Sequence, residues 1–240
     1  MSRLTTFAIA LVMSVLPQLS SASIALNSTR VILENGKKEA SFSVRNMGGD
    51  ILVQSWLDEG ADAETVKHFT LTPQLVRVKA QSEQIVRLLY EGVGAPTDKE
   101  SMFWLNVQEI PQREAGDSSL QIAVLQRIKV FYRPKGLPGS LNDAIRNIEW
   151  SYTNGQLRIA NPSVYHVTLV ALAASGKEFE KALVVGPGQV HTINASPSKG
   201  VSAQGSITYS AVTDFGSQNP YRVVLKGEQT TKGEITADEQ

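Results

Sequence analysis

The feature that most restricts the fold of this chain is a series of short apolar runs, each of strand length and each bounded by turn residues. In runs such as "SFSVRN" and "ILVQSWLD", apolar and polar residues alternate with a period of two, which is typical of strands that bury one face. The Asn-Gly pairs at 35–36 and 154–155 predict tight hairpin turns. Strands at this spacing predict an all-β chain built from β-sandwiches, with one short helix over "SLNDAIRNI".

The first residues indicate an export signal rather than part of the fold. Arg3 precedes the apolar run "FAIALVMSVL", and the small residues "SSA" follow it. This order predicts a signal peptide over residues 1–22 with cleavage after Ala22. An uncleaved membrane anchor is the alternative, but the run is shorter than the roughly 20 residues that a membrane span needs.

The rest of the chain is long enough for two sandwich domains. The chain has 240 residues, and the part after the signal is about twice the length of one sandwich domain. The Pro- and Gly-rich segment "RPKGLPGS" predicts a linker. We therefore expect an N-terminal domain over residues 23–136 and a C-terminal domain over residues 137–240, with a frayed polar tail, "QTTKGEITADEQ".

Composition excludes several classes of function. The formal net charge is zero and the basic residues are scattered, so nothing indicates binding to nucleic acid. After the N-terminal run, no segment is long and apolar enough to predict insertion into a membrane. The chain contains no cysteine, so its domains must be stabilised by their cores without disulfides.

Candidate catalytic and metal-binding residues are few. His68, His166 and His191 lie far apart in the sequence without metal-ligand spacing, and each is interpreted as an ordinary strand or loop residue. The chain contains neither a Gly-x-Ser-x-Gly elbow nor a complete Gly-rich phosphate fingerprint. We therefore expect no cofactor, no metal and no enzymatic activity; the sequence favours a binding function.

One segment, "LQIAVLQRIKVFYR", is the longest strand candidate and is apolar on both faces. A buried central strand is one interpretation. The other is an edge strand that adds itself to the sheet of a partner, with Leu120, Ile122 and Val124 entering the partner's pockets.

Basic residues follow on this segment, among them Arg127 and Lys129, and Arg30 lies in the first strand candidate. If Arg30 and Lys129 come together without an acidic neighbour, their mutual repulsion favours binding of an anion. The carboxylate of a chain terminus would suit such a pair. The alternative is two solvated surface charges, which is the usual state of surface lysine and arginine.

The segment "DKESMFWLNVQEIP" resembles a signature of the periplasmic pilus assembly chaperones, the PapD-like family. The resemblance is carried by Glu100, Ser101, Trp104, Asn106, Ile110 and Pro111, and it extends in order through "NSTRVILE", "QRIKVFYRP", "IANPSVYHVTL" and "SAVTDFGSQNP". It implies two immunoglobulin-like β-sandwich domains in a boomerang arrangement.

The resemblance also implies site residues and partners. Arg30 and Lys129 match the family's binding site for the C-terminal carboxylate of a pilus subunit. Leu120, Ile122 and Val124 match the donor strand, and the family's buried inter-domain ionic network corresponds to Glu100, Arg133 and Asp214. The implied partners are pilus subunits and an outer-membrane usher, the implied compartment is the periplasm, and self-association of the unloaded protein through its edge remains open.

A second hypothesis is a two-domain exported β-sandwich that binds surface glycans through its loops. Arg30, Lys129 and the alternating apolar strand distinguish the two, because a glycan-binding protein requires none of them.

Overall fold

The protein is described from a computed structural model that covers residues 24–34, 36–60, 66–112, 123–195 and 197–236. The predicted signal peptide lies outside these residues, and so do Leu120 and Ile122 of the predicted donor strand.

The N-terminal part forms two sheets whose inner faces share one hydrophobic core. The first sheet contains β1 (Ile24–Leu26), β3 (Glu39–Asn46), β5 (Phe69–Thr72) and β7 (Glu83–Tyr90), in the order β1-β3-β7-β5. The second sheet contains β2 (Arg30–Leu33), β4 (Ile51–Asp58), β6 (Leu75–Val78), β8 (Ser101–Pro111) and β9 (Leu125–Tyr132), in the order β2-β9-β8-β4-β6.

The core of this N-terminal sandwich follows from the alternation seen in the sequence. In β4, Ile51, Val53 and Leu57 are buried, whereas Leu52 between them is 40% exposed. Because successive side chains of a strand point to opposite faces, one face of each strand enters the core. Phe42 of the first sheet and Leu105 of the second are buried in the same cluster, which joins the two sheets.

The first strand region is divided between the two sheets. β1 pairs with β3, whereas β2 crosses to the second sheet and pairs with β9 in parallel. The predicted hairpin at residues 35–36 is therefore wrong. A turn is present, since the Lys37 N–H donates to the Glu34 carbonyl at 2.9 Å, but the strands it connects lie in different sheets.

The C-terminal part forms a second pair of sheets with its own core. One sheet has the order β14-β11-β10-β17 and contains β10 (Glu149–Thr153), β11 (Gln156–Ala160), β14 (Val190–Asn194) and β17 (Thr231–Lys232). The other has the order β13-β12-β15-β16-β18 and contains β12 (Val167–Ala174), β13 (Lys177–Val185), β15 (Ser206–Val212), β16 (Gln218–Val224) and β18 (Glu234–Ile235). Trp150, from the first of these sheets, is fully buried in the core between them.

Two local predictions in this part are confirmed. The Asn154-Gly155 pair closes a hairpin in which Thr153 pairs with Gln156. The predicted short helix is α1 (Leu141–Arg146), where the Ser140 side chain caps the helix by accepting from the Asp143 N–H. The chain also contains a 3₁₀ turn over Pro197–Lys199.

The prediction of a frayed tail is wrong as far as the described residues extend. Residues Thr231–Lys232 pair with β10, and residues Glu234–Ile235 pair with β16. The tail therefore crosses from one sheet to the other and adds an edge strand to each. Local polarity did not predict this, because both short strands depend on hydrogen bonds to strands far away in the sequence.

Candidate functional site

Glu100 lies immediately before β8, at the contact between the two sandwiches, and its side chain is fully buried. Its carboxylate accepts from the Arg133 Nε at 2.6 Å through one oxygen and from the His166 backbone N–H at 2.7 Å through the other. The Glu100 N–H donates to the Val164 carbonyl at 2.9 Å. A carboxylate stands at the start of this apolar strand because residues of both sandwiches bind it.

Arg133 follows β9 directly and lies at the centre of the ion-pair cluster. Its guanidinium donates to both carboxylate oxygens of Asp214, at 2.7 and 2.6 Å, and to Glu34 at 3.1 Å. It also lies over the ring of Tyr165, 5.3 Å from the centroid. Burial alone would lower the pKa of Arg133, but hydrogen bonds and charge from Asp214 and Glu100 outweigh burial and raise it.

The structure thus brings together the three residues named for an ionic network, and it adds two that the sequence analysis missed. Glu34 extends the cluster on the N-terminal side, and His166 contributes both its backbone N–H and its ring Nδ1, 3.0 Å from Glu100. The prediction that His166 is an ordinary strand or loop residue is therefore incomplete, because it contacts Glu100. No local signal marks either residue. Glu34 meets Arg133 only because β2 pairs with β9, and His166 meets Glu100 only when the two sandwiches are in contact.

Arg30 and Lys129 lie side by side on parallel strands, as directly paired residues of β2 and β9. Burial lowers the pKa of Lys129, and the positive charge of Arg30 lowers it further. Burial also lowers the pKa of Arg30, against the opposing charges of Asp214 and Glu100. The assumption that the pair has no acidic neighbour is therefore wrong for Arg30.

The charge on this pair is incompletely satisfied. The buried Arg30 Nε has no hydrogen-bond partner, and among the described residues neither Arg30 nor Lys129 has an ion-pair partner within 4.0 Å. Arg30 lies 6.0 Å from the ring centroid of Phe131. Two partly desolvated cations in this arrangement favour an anionic ligand.

Trp104 supports Lys129 from the neighbouring strand. The Lys129 Nζ lies 5.4 Å from the centroid of the Trp104 ring, and the Arg127 guanidinium lies over the same ring at 4.6 Å. Asp58 accepts from Arg127 at 2.5 Å and from the Asn106 amide at 2.5 Å. The charge of Arg127 is therefore paired with Asp58 within the chain. Lys129 is the cation of this strand that can act together with Arg30 on a ligand.

β9 is a central strand over half of its length and an edge over the other half. β8 pairs with it throughout, from Leu125 to Tyr132, whereas β2 pairs with it only from Lys129 to Tyr132. Along residues 125–128, the side of β9 away from β8 has no strand partner among the described residues. Both interpretations of this segment are thus partly right.

The predicted donor residues are only partly described. Val124 is half-buried just before β9, and its carbonyl accepts from the Glu109 N–H at 3.0 Å. It shares its alternation with the half-buried Ile128, whereas Leu125 is 50% exposed. The strand therefore begins later than predicted, and the 11 residues of β8 make that strand longer than the 8 of β9.

Other kinds of site find no support in the described part of the chain. Within it, no group of three or more His, Cys, Asp or Glu side chains is arranged to hold a metal ion. No helix within the same residues has the length and apolar character needed to cross a membrane.

The chain matches two protein-family descriptions over most of its length. Residues 23–138 match the N-terminal domain of PapD, a pili and flagellar-assembly chaperone. Residues 143–223 match the C-terminal domain of the pili assembly chaperone PapD. The chain therefore belongs to the PapD-like family of pilus assembly chaperones.

Individual relatives match more than four-fifths of the chain. The probable fimbrial chaperone LpfB of Escherichia coli O157:H7 is 38% identical over 199 residues, which are 81% of this chain and 84% of that protein. The chaperone protein FocC of Escherichia coli is 36% identical over 213 residues, 86% of this chain and 91% of that protein.

A solved structure gives the same result. The complex of the Salmonella enterica SafA pilin with the SafB chaperone contains a chain that matches with a TM-score of 0.76 at 28% identity, covering 86% of this chain and 98% of that chain.

These findings confirm the resemblance and the predicted all-β class with two sandwich domains. The family consists of assembly chaperones, not enzymes, which agrees with the predicted lack of catalysis. It also favours the chaperone hypothesis over a glycan-binding protein. The boomerang arrangement and the domain boundaries at residue 136 stay predictions.

Proposed function

We propose that this protein is a periplasmic chaperone that binds pilus subunits by lending them a strand and then delivers them to an outer-membrane usher. The observation that carries the proposal is the half-free edge of β9, which ends at the Arg30–Lys129 pair. The SafA–SafB complex, in which a chaperone of this fold holds a pilin, supports it.

The arrangement of strands determines how a guest would bind. As far as the structure describes the chain, one side of β9 has no strand partner over residues 125–128, and Arg30 begins β2 just beyond that edge. A guest strand whose terminal carboxylate reaches Arg30 must run in the same direction as β9. It would extend the line of β2, which already pairs with β9 in parallel.

The carboxylate would complete an unfinished site. Arg30 and Lys129 are partly desolvated, and the Arg30 Nε has no hydrogen-bond partner in the described part of the chain. Hydrogen bonds from cations to a carboxylate are among the stronger ones in proteins. A guest terminus would therefore gain charge-assisted bonds and would relieve the repulsion between the two cations.

The donor residues would supply the apolar part of the contact. We assign this role to Leu120, Ile122 and Val124, which share one alternation. Val124 lies on the same alternation as Ile128, which packs against the core. Side chains of this set would thus continue the core of the sandwich into the guest.

The ion-pair cluster of Glu100, Arg133 and Asp214 would hold the two sandwiches at a fixed angle. Buried ion pairs often add little net stability, while removal of one partner is costly. We therefore assign the cluster a role in alignment, so that the turn carrying Asp214 stays next to the start of β2.

Capture of subunits tests this proposal. The protein is co-expressed in the periplasm with a pilin subunit, and the complex is recovered through a tag on the chaperone. Lys129→Ala should reduce the recovered subunit at least tenfold, because a charge-assisted bond is worth about 1.5–3 kcal/mol. Lys181→Ala, an exposed lysine on β13 of the C-terminal sandwich, is the matched control. Equal recovery with Lys129→Ala and wild type would refute the anchoring role.

A further inference from the structure

Phe215 is the most exposed large apolar side chain among the described residues, with 96% of its surface open to solvent. It lies in the turn between β15 and β16 of the C-terminal sandwich. A phenyl ring gains free energy when it leaves water. An exposed phenyl ring of this kind is available for contact with a binding partner.

The turn that carries Phe215 is closed by hydrogen bonds. The Thr213 N–H donates to the Ser217 carbonyl at 2.9 Å, and the Gly216 N–H donates to the Thr213 carbonyl at 3.0 Å. The hydroxyls of Thr213 and Ser217 lie 2.6 Å apart. The backbone that presents the ring is therefore fixed relative to the sheet.

The residues on both sides of Phe215 contact the N-terminal sandwich. Asp214 forms the two-point ion pair with Arg133. Gly216 has a φ of +83°, and a side chain there would collide with the hydroxyl of Thr29, the residue before Arg30. Phe215 thus belongs to a turn of the C-terminal sandwich that approaches Thr29, next to Arg30, and whose Asp214 acts electrostatically on Arg30.

We propose that Phe215 is a specificity-determining residue that contacts the apolar side chain at the C-terminal end of the bound subunit. This inference rests on the proposed function, in which Arg30 and Lys129 hold the terminal carboxylate. A terminal side chain branches from the same Cα as that carboxylate, so it must lie close to the cation pair. The favoured client is therefore a polypeptide with a free carboxylate and an apolar or aromatic last residue.

The test uses fluorescein-labelled peptides of alternating Val and Thr, solubilised by N-terminal lysines and ending in either Phe or Ser. Binding to the full chain is measured by fluorescence anisotropy. Phe215→Ala should weaken the Phe-ending peptide about tenfold, as expected for loss of one buried aromatic contact. The same change should alter binding of the Ser-ending peptide less than twofold. Ile85→Ala, 59% exposed on β7 of the first sheet, is the control for loss of an open apolar side chain.

Two further measurements separate failure of this inference from failure of the proposed function. If amidated and free-carboxylate peptides bind equally well, and Arg30→Ala binds as wild type does, the proposed function is wrong. If binding depends on the carboxylate but Phe215→Ala binds both peptides with the same affinity as wild type, only the role of Phe215 is overturned. If Phe215→Ala changes the sedimentation of the free protein but not its affinity for peptides, the role of Phe215 in specificity is also overturned, because the ring then contacts a second copy of the chain.

Circular dichroism of Phe215→Ala and Phe215→Leu establishes that the variants are folded, and Phe215→Leu should retain most of the preference for the Phe-ending peptide.

Discussion

At the scale of single residues, the Arg30–Lys129 pair shows how a folded chain can maintain an unfavourable charge arrangement. Parallel pairing of β2 with β9 sets the two residues side by side, and burial removes part of the water that would screen them. The strand pairing holds the two backbones in register, so both side chains leave the same face of the sheet. The free energy of this arrangement is lowered when a carboxylate binds.

The pKa of Lys129 leads to a prediction about pH. Burial and Arg30 lower this pKa below its ordinary value of 10.5 in the free protein, and a bound carboxylate must raise it again. Binding is therefore strongest where Lys129 is already protonated, and it weakens as the pH rises through the lowered pKa. We expect affinity for a free-carboxylate peptide to fall by up to about tenfold per pH unit in alkaline buffer, beginning below pH 10.5.

Anisotropy titrations at increasing pH measure this effect. Lys129→Met keeps most of the side-chain volume without the charge, so it should bind more weakly at neutral pH and lose the alkaline dependence. The same alkaline slope in wild type and Lys129→Met would assign the titration to a different group.

Residue identities in the site were more predictable than their contacts. The resemblance selected Glu100, Arg133 and Asp214, which the structure brings within hydrogen-bond distance. Glu34 was missed because its contact with Arg133 depends on the pairing of β2 with β9, and His166 was missed because its contact with Glu100 joins the two sandwiches. The position of a single charged or imidazole side chain in the sequence follows no repeating pattern, unlike the alternation of apolar residues that marks a buried strand.

At the scale of elements, β9 was the hardest strand to interpret, for a physical reason. Its apolar residues on both faces are typical of a central strand, and along Lys129–Tyr132 it is one. Its first half has one side without a strand partner among the residues that the structure describes, and this depends on where β2 begins rather than on any residue of β9 itself. Local patterning predicted most strand positions and the hairpin at Asn154-Gly155. It could not predict the two short tail strands or the pairing of β2 with β9, which makes the predicted hairpin at residues 35–36 wrong.

Alternation along the donor segment gives a prediction at this scale. Val124 lies on the half-buried alternation, whereas its neighbour Leu125 is 50% exposed. Val124→Ser should reduce the recovery of co-expressed subunit about tenfold, because an apolar side chain would be lost from the guest's core. Leu125→Ser is the matched control and should have a small effect. Thermal unfolding of both variants checks that the free protein stays folded, and equal recovery with both would contradict the assigned alternation.

At the scale of the whole molecule, the two sandwiches meet through ion pairs around Arg133. The Arg133 side chain is only 10% exposed, and its guanidinium bonds to carboxylates of both sandwiches. Such an arrangement is directional, because the two-point contact with Asp214 requires a particular orientation of both groups. Apolar contact alone would permit more sliding.

Asp214→Ala tests this role. The change removes the two-point bond and leaves part of a buried guanidinium unpaired, so we expect the free energy of unfolding to fall by about 1–3 kcal/mol. Small-angle X-ray scattering should show a change in the angle between the sandwiches, while the donor strand remains intact. The exposed Asp98→Ala is the control. An unchanged melting curve together with an unchanged scattering profile would contradict the alignment role.

The limited length of β2 has a further consequence. Because β2 occupies the side of β9 from Lys129 onward, an incoming strand must stop at Arg30 and cannot slide past it. The register of the incoming strand against β9 would then be fixed by its C-terminal residue. Adding or deleting one residue near that end would turn every core-facing side chain to the outside. Binding would therefore depend on the number of residues between a subunit's apolar side chains and its C-terminus as strongly as on the chemistry of those side chains.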